Sequence, residues 1–241
     1  MEPPVTELLF RDDAYLRSCE AEVVAAGPGG IVLDRTVFYP RAGGQPGDTG
    51  RITFAGQTIA IGEAVKAPDG AAVLHPLAEG AALPHAGATV TAEIDFPRRL
   101  GHMRTHTAMH LLCSLIPGAG VTGGAIGELK GRLDFDLPAA PDKAAIEAGL
   151  LRLVAADLPV GSEWIDEAAL DANPGLVRTL SVQPPRGSGR IRLVRIGTEP
   201  PVDLQPCGGT HVRSTGEIGA VRVAKIESKG RANRRITLVL E

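Results

Sequence analysis

The stretch "DFPRRLGHMRTHTAMHLLCSLIPG", residues 95–118, decides how the 241-residue chain divides. Asp95 can cap a helix, Pro97 sits in a first turn that tolerates it, and Leu100, Met103, Leu111, Leu112 and Leu115 recur at helical intervals. Pro117-Gly118 then stops the pattern. The reading predicts one helix that carries three histidines at intervals of four: His102, His106 and His110.

Upstream of this helix the pattern is different. The segments "EAEVVAA", "GIVLDRTVFY", "GRITFAG", "QTIAIGEAV", "AAVLHPL" and "ATVTAEIDF" are short and separated by Gly, Pro and Asp, as in a small β-barrel or sandwich. Downstream, "PDKAAIEAGLLRLVAADL" (141–158) reads as a second helix. "RIRLVRIG", "IGAVRVAKIES" and "RRITLVLE" read as strands, the last two alternating as antiparallel strands with one wet face do. The expected fold is therefore α+β: a small N-terminal β-barrel domain over 1–90, then an α+β domain with an antiparallel sheet over 91–241.

Composition narrows the class. With 44% hydrophobic and 22% charged residues the chain can bury a core, while 30 glycines, 19 prolines and only 3% aromatics favour turns and short strands over long bundled helices. No apolar run approaches the roughly 18 residues that span a membrane, and "MEPPVTELLF" lacks the basic-then-apolar order of a leader, so a cytoplasmic protein is expected. Three widely spaced cysteines, Cys19, Cys113 and Cys207, do not make a disulfide framework. Residues 1–90 hold 6 Lys/Arg against 11 Asp/Glu and the remainder 19 against 17, which puts a polyanion site in the second part.

Residues four apart on a helix are turned by about 40° and rise about 6 Å, so two such imidazoles can close on one cation, whereas His102 and His110, about 12 Å apart, cannot. One histidine of the three is surplus. A second donor pair stands in "QPCGGTHVRSTGEIG", where Cys207 and His211 flank Gly208 and Gly209 in what reads as a tight turn. A thiolate and an imidazole added to two helical imidazoles complete a tetrahedral, zinc-type set.

"RRLGHMRTHTAMHLL" followed by "CGGTHVRSTGEIG", with "TVFYPRAGGQPGDTG" (36–50) upstream and "KGRANRRI" (229–236) downstream, resembles the editing domain of alanyl-tRNA synthetase and its freestanding AlaX relatives, in their medium-sized form. The likeness runs from about residue 5 to the end. It implies the common-domain fold of threonyl- and alanyl-tRNA synthetases, with zinc held by His106, His110, Cys207 and His211, the two leucines after His110 selecting that pair. It also implies hydrolysis, in trans, of the ester joining serine, or glycine, to tRNA(Ala).

Zinc could lower the pKa of a bound water toward ~7, polarise the ester carbonyl or anchor the substrate amine. Each needs an open coordination position, for which His211 is the candidate labile ligand; no catalytic side chain is assigned. Rejecting alanine needs buried polar groups that pair with the serine hydroxyl, a device that discriminates by roughly 10⁴ to 10⁵. Gln45, Thr107 and Thr122 are the candidates, beside backbone at Gly208 and Gly209. Where synthetases often carry glutamine near Gly-Ser, this chain has Thr122-Gly123-Gly124. The glycine turn around Gln45 is expected to border the metal pocket.

Basic residues expected to meet tRNA are Arg98 and Arg99 beside the histidine helix, and Lys225, Lys229, Arg231 and Arg234 near the C-terminus. Their contacts would go to phosphate and shape rather than stacked bases, given the few aromatics. No membrane contact and no protein partner is expected. Two other readings compete: a noncatalytic tRNA-binding module with a structural zinc, and a zinc hydrolase of another small ester.

Overall fold

The computed structural model describes residues 5–241 apart from 69, 79, 82, 181, 182, 185 and 188. Residues 1–4, the start of the stretch read as leaderless, lie outside the described residues. The chain forms two compact units, with the boundary between Leu100 and Gly101, later than the position near 90 read from sequence.

The first unit holds β1 (Glu7–Leu8), β2 (Ser18–Gly27), β3 (Gly30–Leu33), β4 (Arg35–Thr36), β5 (Gly50–Phe54), β6 (Gln57–Ile61), β7 (Val65–Lys66), β8 (Val73–His75) and β9 (Thr89–Ile94). Seven of these form one antiparallel sheet in the order β6-β5-β9-β2-β3-β8-β7. β9 belongs here because it pairs with β2 and β5, which moves the boundary past residue 90. The edge strand β6 also meets the segment that follows β8 at one isolated bridge, Ile61 opposite Leu77, where the Gly62 N–H donates to Pro76 O at 2.8 Å. The antiparallel, strand-rich character read from sequence is present in this unit, with one bridge rather than a ladder linking β6 to the segment after β8.

Alternation explains its core. Ala21 and Val23, Ile59 and Ile61, and Val90, Ala92 and Ile94 point inward with Ile31, Leu33, Ile52 and Phe38, and along β2, β6 and β9 the residues between them are more exposed. Burying each of the large apolar side chains in this set contributes about 1.5 to 3 kcal/mol.

The second unit contains most of α1 (Phe96–Ser114), then β10 (Val121–Gly127), β11 (Lys130–Asp136), α2 (Lys143–Ala155), β12 (Val160–Asp166), α3 (Glu167–Ala172), β13 (Arg190–Ile196), β14 (Asp203–Pro206), β15 (Val221–Gly230) and β16 (Asn233–Leu240). Asp95 caps α1 as its sequence implies, accepting from the Arg98 N–H at 3.2 Å. Asp142 does the same for α2, accepting from the Ala144 N–H at 2.9 Å. No helix among the described residues is long and apolar enough to cross a membrane.

Two antiparallel sheets make up this unit: β10-β11-β16-β15 and β12-β13-β14. α1 packs closely on the first, because Gly131 leaves room for Thr105 and Met109; a Cβ there would lie 2.7 and 2.6 Å from their side chains. In the second sheet the register puts Ile191, Leu193 and Leu204 on one face, packed with Leu170 of α3. Val194, Ile196, Asp203 and Gln205 occupy the other face. That second face carries the site.

Candidate metal centre

His106 and His110 lie one turn apart on α1, both less than a tenth exposed. Cys207 follows the last residue of β14, and His211 lies in the irregular segment after it. One donor atom from each of the four converges, all within 4.8 Å of one another. Cys207 Sγ is 3.5 Å from His106 Nε2 and 3.4 Å from His211 Nε2. The ring centroids of His106 and His211 are 4.2 Å apart, and those of His110 and His211 are 4.6 Å apart.

The two sulfur–nitrogen separations match those around a tetrahedral ion, and the full set lies within 4.8 Å. Bonds of roughly 2.0 to 2.3 Å to nitrogen and sulfur place ligand atoms about 3.3 to 3.7 Å from each other. Two of the far ring nitrogens have hydrogen-bond partners, which fixes which nitrogen of those rings faces inward. His110 Nδ1 is 2.8 Å from Asp203 Oδ2, and that oxygen also accepts from Gln205 Nε2 at 2.9 Å. His211 Nδ1 is 3.1 Å from Thr107 Oγ1. Both histidines therefore present Nε2 to the shared centre.

Burial pulls the His110 imidazole toward neutrality, but hydrogen bonds to Asp203 and Cys207 outweigh it and raise its pKa to about 10. Burial opposes the Cys207 thiolate, yet the charges of His106 and His211 hold its pKa well below the usual thiol range. Burial and the neighbouring His106 hold His211 well below the ordinary histidine value. A thiolate is the form of cysteine that a soft divalent cation selects, and the proton that His110 holds would have to leave as the ion binds.

Residues 191–237 match the family model described as the threonyl and alanyl tRNA synthetase second additional domain, and residues 10–98 match that of class II (A) tRNA synthetases. Over 98% of its length the chain is 34% identical to the alanyl-tRNA editing protein AlaX-M of Methanosarcina acetivorans, 99% of which is covered. The AlaX-M protein of Methanosarcina barkeri shows the same identity and the same coverage. The chain belongs to the AlaX-M family. It also shares 38% identity, over 93% of its own length, with the alanine–tRNA ligase of Pyrobaculum neutrophilum, but spans only 26% of that protein.

The remaining residues singled out by sequence separate into groups. His102, the surplus histidine of the helix, is buried at 1% exposure and is not one of the four converging donors. Thr107 is fully buried; its hydroxyl donates to Met103 O at 2.9 Å and also meets His211, so it orients a donor. Thr122 Oγ1 donates to Asp134 O and accepts from Asn233 Nδ2, both at 3.1 Å, which ties β10 to β11 and β16. Gly208 is exposed, and a Cβ there would meet nothing within 4 Å.

Gln45 belongs to the first unit and is fully buried. It closes the glycine turn: Ala42 and Gln45 exchange backbone hydrogen bonds at 2.9 and 3.2 Å around Gly43 and Gly44, both at positive φ.

Arg99 requires a correction. It was expected to meet phosphate, but it is 0% exposed and its guanidinium donates to Asp48, to Ala14 O and to Val37 O. Its neighbour Arg98, turned about 100° from it on the helix, is half-buried. Lys225, Lys229 and Arg231 are exposed on the β15–β16 hairpin, the two lysines paired with Glu227. Arg234 donates to Ser228 Oγ and to the carbonyls of Gly230 and Asn233, so it braces the hairpin turn.

Sequence reasoning passed over three groups at the centre: Asp203, Gln205 and Arg192. The available signal was alternation, since 203, 205 and 207 share a strand parity that continues into the thiol.

Proposed function

We propose that this chain is a trans-editing hydrolase that cleaves the ester between tRNA(Ala) and a wrongly attached amino acid, chiefly serine and also glycine. The observation that carries the reading is the convergence of His106, His110, Cys207 and His211 in a chain collinear with proteins named alanyl-tRNA editing proteins. The ion is taken as zinc, which one thiolate and three imidazoles suit, and the N-terminal sheet as the family's small barrel.

Zinc held by these four residues supplies Lewis-acid polarisation of the ester or an anchor for the substrate. The chain's own groups set up the rest. Asp203 keeps a proton on His110 Nδ1, and Thr107 does the corresponding work for His211. Exposed Gly208 lets substrate approach the backbone beside Cys207, and Lys225, Lys229, Arg231 and Arg98 offer charge to phosphates. Gln45 and Thr122 are retained as candidates for reading the amino acid.

One observation favours a second reading, a tRNA-binding module with structural zinc: four protein donors close a tetrahedron. Incubating Ser-tRNA(Ala), Gly-tRNA(Ala) and Ala-tRNA(Ala) with metal-loaded protein separates them. The expected result is release of serine and glycine with alanine spared, and loss of release in His106→Ala. Tight tRNA binding without release would establish the module, and fast cleavage of small esters without preference for tRNA would point to another hydrolase.

A further inference from the structure

The segment from Cys207 to His211 supplies half of the donor set yet has no regular secondary structure. Its apex is not fixed by packing, because Gly208 is exposed with open space where a Cβ would be. Something else must hold the Cys207 side chain at one place relative to α1.

Arg192, on β13, is the group that reaches it. Its Nη1 donates to Cys207 O at 2.8 Å and to Gly209 O at 3.1 Å, straddling the exposed glycine, while the Cys207 N–H donates back to Arg192 O at 3.1 Å. The sheet register explains the reach. Val194 pairs with Gln205 and Ile196 with Asp203, so Arg192 falls on the face that carries Asp203 and, one step beyond the strand, Cys207. With both carbonyls held from below, the Gly209 N–H turns toward Cys207 Sγ, 3.4 Å away.

We infer that Arg192 is a positioning residue for the metal centre. Its guanidinium clamps the carbonyls of Cys207 and Gly209, which fixes the thiolate against the histidine helix and aims the Gly209 N–H at the sulfur. The inference rests on the reading of the four donors as a metal site. It assigns to Arg192 a function in holding the ion's ligands. Arginine suits this because its planar amino group sends two N–H bonds in fixed directions, which a lysine ammonium does not.

The test uses metal alone as probe. Zinc affinity is measured by chelator competition, and the thiolate-to-metal charge-transfer band is followed after cobalt(II) loading, for the wild type, Arg192→Ala, Arg192→Gln and the control Arg190→Ala. Removing a group that orients a ligand typically costs 10- to 100-fold in metal affinity. The expected result is a loss of that size and an altered cobalt band in Arg192→Ala, a smaller loss in Arg192→Gln, and wild-type behaviour in Arg190→Ala. Wild-type affinity and an unchanged band in both Arg192 variants would overturn the inference, as would intact metal binding with weakened tRNA binding, which would make Arg192 a substrate contact. If Arg192→Ala fails to fold, Arg192→Gln decides by the same two readouts. A wild type that binds no zinc would instead defeat the metal reading itself.

Discussion

Two buried ion pairs of similar exposure behave differently. In the first unit Arg99 and Asp48 are both fully buried, and their polar atoms are turned toward groups that answer them: Ala14 O, Val37 O and the Tyr39 N–H at 2.6 Å. In the second unit His110 and Asp203 are equally secluded, yet the imidazole is satisfied on its Nδ1 side while its Nε2 joins three other donors at a common point. The first pair closes a structure. The second leaves coordinating capacity directed inward, and that property, rather than buried charge as such, distinguishes a chemical site from scaffolding.

The comparison can be broken first at Arg99. Arg99→Ala leaves Asp48 buried without its partner, which costs roughly 3 to 5 kcal/mol. Denaturant unfolding should show that loss while metal content of the folded fraction stays at the wild-type ratio. A loss of metal with no loss of stability would reverse the assignment of the two pairs.

Cys207→Ser tests the opposite corner. Structural zinc sites bind with about 10 to 16 kcal/mol in total, so one of four ligands is worth on the order of 3 kcal/mol, or 10²- to 10³-fold in affinity. Metal analysis after dialysis and the deacylation assay should fall together, with circular dichroism little changed. Retained zinc in the variant would place the thiol outside the donor set.

His75 supplies a third buried ionisable group, held neutral. Its ring lies 2.8 Å from Thr36 Oγ1, and burial lowers its pKa to about 4, hydrogen bonding to Ile31 and Val73 opposing only in part. An unfolded histidine titrates near 6.5, so the stability is fully present above that value and is lost as pH falls from about 6.5 through about 4, up to roughly 3 kcal/mol. Urea midpoints between pH 7.5 and 4 should show this slope in the wild type and a flatter one in His75→Gln.

The smallest effect is expected at Asp203. Asparagine there keeps an acceptor for His110 Nδ1 and removes the charge, so zinc affinity should drop by about 10-fold, the lower end of the range for groups that orient ligands. Chelator competition measures it. A drop equal to that of Cys207→Ser would mean that Asp203 does more than orient an imidazole.

How much of this could be read from the residues depended on repetition. Helix α1 was legible from the Asp95 cap, the spaced leucines and Pro117-Gly118, and β15 and β16 from their alternation. β10 gave no such signal because "VTGGAIG" offers little apolar pattern, and β14 is four residues, two polar, ending in proline. The four donors were found because cysteine and histidine are rare here and stand at spacings with a chemical meaning. Asp203 and Arg192 were missed for the converse reason: acids and arginines are common, and only the pairing of strands shows which of them turn inward. Arg99 was misplaced because two adjacent arginines look alike in one dimension, although one helical step rotates them onto different surroundings.

The brevity of β14 constrains how such a chain can change over time. Loops between paired strands can lengthen or shorten without turning a face over, but Asp203, Gln205 and Cys207 depend on counting by twos. A codon inserted or deleted between 203 and 207 would either take the carboxylate off the face beneath His110 or carry the thiol to the reverse side of the ribbon. Length variation among descendants should therefore accumulate elsewhere and stop at this strand.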